Sequence, residues 1–131
     1  GETYRLSRKW TDARYAYTEA IKNNEDYASA YLGLSQIYRS QSKEAKTDDE
    51  KKFLLLQAMN HCEKAILKKE NFGTAYMERA AVRYALHQDS MDVRVDLQRA
   101  KDLDGELKIF IAENEEFESL RNTEWFKEIT K

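Results

Sequence analysis

The sequence contains no proline and only four glycines among 131 residues. Residues that end helices are therefore almost missing, which favours long helices joined by short turns. One cysteine, Cys62, excludes an intramolecular disulfide and fits a reducing compartment, so a cytoplasmic location is expected. Long apolar runs are also missing. The longest, Phe53-Leu54-Leu55-Leu56, is far short of the ~20 residues that cross a bilayer, and no membrane partner is expected. Charge of one sign is absent too: 22 basic residues against 24 acidic ones leave a formal charge of -2. So balanced a chain has no electrostatic drive toward nucleic acid or an anionic surface. Alternating β-branched runs do not occur, which leaves strands little support.

What the chain does have is 41% apolar residues, enough for a core, and 35% charged ones that suit the solvated faces of helices. Ala, Glu, Lys, Leu and Arg dominate, and all are good helix formers. The pattern predicts helices near 2–7, 10–23, 27–42, 48–69, 73–87, 90–103, 106–113, 115–121 and 123–130. Thr47-Asp48-Asp49-Glu50 is a capping-box pattern that starts the fourth of these well before Phe53.

A repeat is written in the small and aromatic residues. Ala13, Ala20, Ile21, Tyr27, Ala30 and Tyr31 return 45 residues later as Ala58, Ala65, Ile66, Phe72, Ala75 and Tyr76. The charged residues between them drift, as expected if packing is what is constrained. Alanines seven apart lie two turns apart on one helix face and let a neighbouring helix approach closely. A single hairpin cannot bury its apolar face alone, whereas stacked hairpins form one continuous core.

These residues resemble the tetratricopeptide repeat family, whose unit is two antiparallel helices of about 34 residues with small and large side chains at set positions. The segment from Tyr4 through Trp10 and Ala13 to Tyr17, Ala20 and Ile21 looks like the second half of such a unit. Tyr31, Leu34, Ser35 and Tyr38 match the next first helix, and Ala58, Cys62, Ala65 and Ile66 its second. Tyr76, Arg79 and Ala80 open a third unit that Val93, Leu97 and Ala100 close. The resemblance covers roughly residues 4–104. It departs from the family in three ways: Glu25 and Glu70 stand where a proline is usual, the middle unit is about 11 residues too long, and the first lacks most of its first helix.

The resemblance implies an all-α fold, an α-solenoid of stacked antiparallel helical hairpins. Residues 1–27 would form a partial repeat, 28–72 a repeat with a long insertion, 73–105 a further repeat, and 106–131 capping helices over the exposed end of the stack. The insertion reads more readily as a tolerated surface loop than as a partner contact. Trp125 reads as core. The missing first helix leaves Trp10, Tyr15 and Tyr17 as candidates for an exposed patch, which suggests the tail of a longer array or self-association through this N-terminal face.

No chemistry is visible in the sequence. The four glycines form no phosphate loop. His61 and Cys62 are adjacent and diverge on a helix, and His87 is remote, so no metal site and no catalytic residue is expected. Cys62 occupies a packing position and reads as a buried thiol. No cofactor is expected. The resemblance implies instead a concave groove, lined by first helices, that holds a peptide or protein partner. Its positions here are Arg5 from the partial repeat, Ser29, Leu32, Gly33, Gln36 and Arg39 from the middle repeat, and Thr74, Met77, Glu78, Ala81 and Tyr84 from the third. The family's Lys/Asn/Arg clamp for chaperone C-termini is missing from them, and Glu78 would repel a carboxylate. The expectation is a non-catalytic scaffold or adaptor; the alternative is a structural end of a longer array.

Overall fold

The computed structural model describes the backbone of residues 2–24, 27–87 and 90–131, and the side chains of 10–24, 27–87 and 91–131. The chain is all-helical, with no strand among the described residues. Among the described residues seven α-helices run in order: α1 Glu2–Asn23, α2 Ala28–Ser42, α3 Asp48–Lys68, α4 Gly73–Ala85, α5 Ser90–Leu103, α6 Leu107–Glu113 and α7 Glu124–Thr130. A 3-10 helix, Glu115–Leu120, joins α6 to α7. The expected break between helices 2–7 and 10–23 does not occur, and α1 is continuous. Ser7, Arg8 and Lys9 contain neither Gly nor Pro, and nothing in them outweighs propagation of a helix already formed.

The fold comprises two compact units, residues 1–68 and 69–131. In the first, α2 packs along α3 and α1 along α2. Leu34, Leu54, Leu55, Ala58 and Cys62 are buried there, and the Ser35 hydroxyl donates to the Ala58 carbonyl at 2.8 Å, joining α2 to α3. Placed on a buried helix–helix seam, that hydroxyl needs such a partner to avoid a desolvation penalty. The Thr47 hydroxyl accepts from the Glu50 N–H at 3.1 Å and caps α3.

In the second unit α4 packs on α5, and the segments from α6 onward close over them. Ala80, Ala81, Val93, Leu97 and Ala100 share one buried cluster with Leu107, Ile111, Phe117, Leu120, Phe126 and Ile129. Trp125 packs at its edge, with its ring 5.9 Å from that of Phe126 and nearly perpendicular to it. Small residues on α4 and α5 let the two helices approach, and the aromatic rings of 106–131 fill the space beside them. Asp96, only 1% exposed, joins α5 to α4: it accepts from Arg79 at 2.8 and 3.0 Å and from Arg83 at 2.9 Å. A carboxylate this buried is tolerable only with such paired donors.

The 45-residue repeat reappears in the backbone. Tyr27 precedes α2 with φ -77° and ψ 85°, and Phe72 precedes α4 with φ -84° and ψ 87°. Neither uses a side-chain cap. Each carbonyl accepts from the third residue on, Ala30 at 3.1 Å and Ala75 at 3.0 Å. Each N–H donates three residues back, Tyr27 to Asn24 and Phe72 to Lys69, both at 3.1 Å. An aromatic residue in a backbone-closed turn thus precedes both α2 and α4.

Candidate interaction surface

The expected groove positions fall on α2 in the first unit and on α4 in the second. On α2, Ser29 and Gln36 are exposed and Arg39 is half-buried, whereas Leu32 and Gly33 are buried. Gly33 is buried for a definite reason: the Tyr17 ring from α1 lies where its β-carbon would stand. On α4, Thr74, Met77 and Tyr84 are half-buried. Met77 and Tyr84 also pack on the core cluster, the Tyr84 ring 6.3 Å from that of Phe117. Glu78 is 3% exposed and Ala81 is fully covered, so neither offers side-chain surface. The side chain of Arg5 lies outside the described residues.

The three aromatic residues expected on an open patch of α1 differ in their surroundings. Tyr15 is 67% exposed. Tyr17 is committed to Gly33, and Trp10 donates its indole N–H to Glu44 Oε2 at 3.0 Å. Glu44 belongs to the loop between α2 and α3, which therefore ties back to α1 rather than standing free.

A stack between α2 and α3 was not legible in the sequence. The His61 ring lies nearly parallel to Tyr38, 5.5 Å away, and stacks more loosely on Tyr31 at 6.4 Å. Arg14 sits over the Tyr38 ring at 5.4 Å, and the Lys64 ammonium over Tyr31 at 6.0 Å. The His61 Nδ1 is buried and makes no hydrogen bond. Burial, and secondarily the charge of Lys64, hold the His61 pKa below its usual 6.5. The available signal was the spacing: Tyr31 and Tyr38 share a face of α2, as His61 and Lys64 do on α3, but the pairing of those faces is a tertiary fact.

Among the described residues no three His, Cys, Asp or Glu side chains gather as a metal site, and no helix is long and apolar enough to cross a membrane. Cys62 is fully buried, its thiol donating to the Met59 carbonyl at 3.3 Å.

No protein-family model, curated protein or solved structure matches the chain.

What the arrangement offers is surface. In the first unit α2 presents exposed Ser29 and Gln36; in the second, α4 leaves Met77 and Tyr84 half-exposed.

Proposed function

We propose that the chain is a non-catalytic protein-interaction module, a tetratricopeptide-like α-solenoid that binds a peptide or protein segment. The recurrence of one backbone turn at Tyr27 and Phe72, in register with the repeated alanines, carries this reading. It is what a repeated hairpin requires: the same entry angle into each first helix, set by the same bonds. Within the first unit Ser29, Gln36 and Arg39 on α2 keep solvent-accessible surface for such contact; within the second unit Thr74, Met77 and Tyr84 on α4 do. A carboxylate-clamp ligand is disfavoured, because Leu32, Gly33, Gln36, Thr74 and Glu78 supply none of the Lys, Asn and Arg of that clamp. Glu78 is too buried to meet a ligand.

Peptides selected from a random displayed library on the immobilised chain provide the test. With a photo-reactive residue at Gln36 or Thr74, the selected peptides crosslink; with one at exposed Ser119, they do not. Crosslinking at Ser119 alone, or selection of no peptide, overturns the proposal.

Tyr15 favours a second reading, in which α1 packs on further helices or on another copy. An aromatic side chain 67% exposed on a helix is a natural docking point. Tyr15→Asp then abolishes any association made through that face, while Trp10 and Tyr17, already engaged within their own unit, are poor reporters of it.

A further inference from the structure

Two helices of the second unit hold apolar side chains in solvent, and the charges beside them are of opposite sign. On α5, Met91 and Val95 are 56% and 57% exposed. They line a surface depression of about 330 Å³ with Arg94, Gln98, Arg99 and Asp102. This face lies opposite buried Val93, Asp96, Leu97 and Ala100. Among the described residues Arg94 pairs with no carboxylate; Arg99 lies over the Tyr76 ring, and Asp102 accepts from Gln98. The face is apolar and net basic.

On α6, Ile109 and Phe110 are 55% and 60% exposed. Glu106 and Glu113 flank them, also exposed. Positions 106, 109, 110 and 113 fall on one helix face, with buried Leu107 and Ile111 turned away. This stripe is apolar and acidic.

We propose that a second copy of this chain docks α6 on α5, seating Ile109 and Phe110 on Met91 and Val95 and setting Glu106 and Glu113 against Arg94 and Arg99. The dimensions agree. Seven helical residues separate the two glutamates by ~10.5 Å and five separate the two arginines by ~7.5 Å, a difference the long arginine side chains span. The occupant is a second copy because each molecule carries both complementary faces. The contact can therefore be made twice around a two-fold axis, doubling the apolar area covered. Like charges oppose α6 on α6, and the net basic α5 face pairs better with the acidic α6 stripe than with itself. This surface is separate from the α2 and α4 positions, and the proposal does not depend on the groove reading.

Sedimentation equilibrium on the intact chain tests it. The wild type dimerises, and added salt weakens the dimer. Arg94→Glu with Arg99→Glu, or Glu106→Arg with Glu113→Arg, each weakens self-association by about tenfold or more. Mixed in equal amounts, the two variants restore association to within about threefold of wild type, because reversed charges now face each other at one contact and native ones at the other. Arg99→Glu also removes the contact with Tyr76, so Arg94→Glu alone and Ile109→Asp are run beside it, with thermal melts confirming that each remains folded. Tyr15→Asp leaves the dimer intact. A wild type that stays monomeric at the highest attainable concentration overturns the proposal. So does a dimer insensitive to either reversal, or a mixture that fails to re-associate. Capture of an unrelated acidic helix by a chain that remains monomeric assigns the α5 face to a foreign partner and equally overturns it.

Discussion

The Tyr17 ring lies against the α-carbon of Gly33, in the space where any other residue would carry its side chain. This contact lets α1 approach α2 closely within the first unit. Gly33→Ala forces the ring aside. The atoms it meets are the outer part of a side chain 36% exposed, so the ring can yield toward solvent. The expected loss is about 1–2 kcal/mol in urea unfolding. Tyr17→Ala is destabilising on its own, and the double variant loses less than the sum, because the clash is gone once the ring is removed. Strict additivity contradicts the contact.

Asp96 holds α4 to α5 through Arg79 and Arg83. Asp96→Asn removes the charge and leaves two guanidinium groups around a neutral amide. Their side chains are only 21% exposed, so water compensates them in part. Stability falls by roughly 2–4 kcal/mol, toward the lower end of what an uncompensated buried charge costs. Arg83→Met costs less, since Arg79 still donates twice to the carboxylate. Equal losses for the two variants contradict this account.

His87 closes α4 with φ 60°, a left-handed conformation that costs a residue with a β-carbon. Its N–H donates to the Tyr84 carbonyl at 3.0 Å, so the turn is a helix-terminating one in which glycine is the common residue. His87→Gly is expected to raise stability by about 1 kcal/mol, read as a higher urea midpoint with unchanged slope.

Helix positions were legible in the sequence because they depend on local signals: a scarcity of breakers, Thr47 as a cap, and apolar spacing. The continuity of α1 was not, since an expected boundary at Ser7–Lys9 rested on reading Trp10 as the aromatic residue that opens the family's second helix rather than on any helix-ending residue. The repeat was legible from Ala30 and Ala75 or Tyr27 and Phe72, and the backbone reproduces it at those turns. Candidate surface residues were harder to place. Leu32, Glu78 and Ala81 were assigned from register alone, yet burial depends on which helix covers a position, and all three are covered here. The His61 stack was hidden for the same reason: its members lie on different helices.

That stack makes the first unit sensitive to pH. Burial and the nearby Lys64 charge hold His61 below its usual pKa of 6.5 in the folded state. The folded chain therefore prefers the neutral ring, and the unfolded chain binds the proton more readily. Well above 6.5 both states are neutral at His61 and no penalty arises. As pH falls through 6.5 toward the lowered folded value, the unfolded state gains protons first and stability declines. The melting temperature is thus expected to fall between pH 7.5 and 5.5, a window in which ordinary carboxylates scarcely titrate, their pKa values lying near ~4. His61→Phe keeps a ring between Tyr31 and Tyr38, removes the unpartnered Nδ1, and flattens the dependence. A slope that persists in the His61 variant assigns the titration elsewhere.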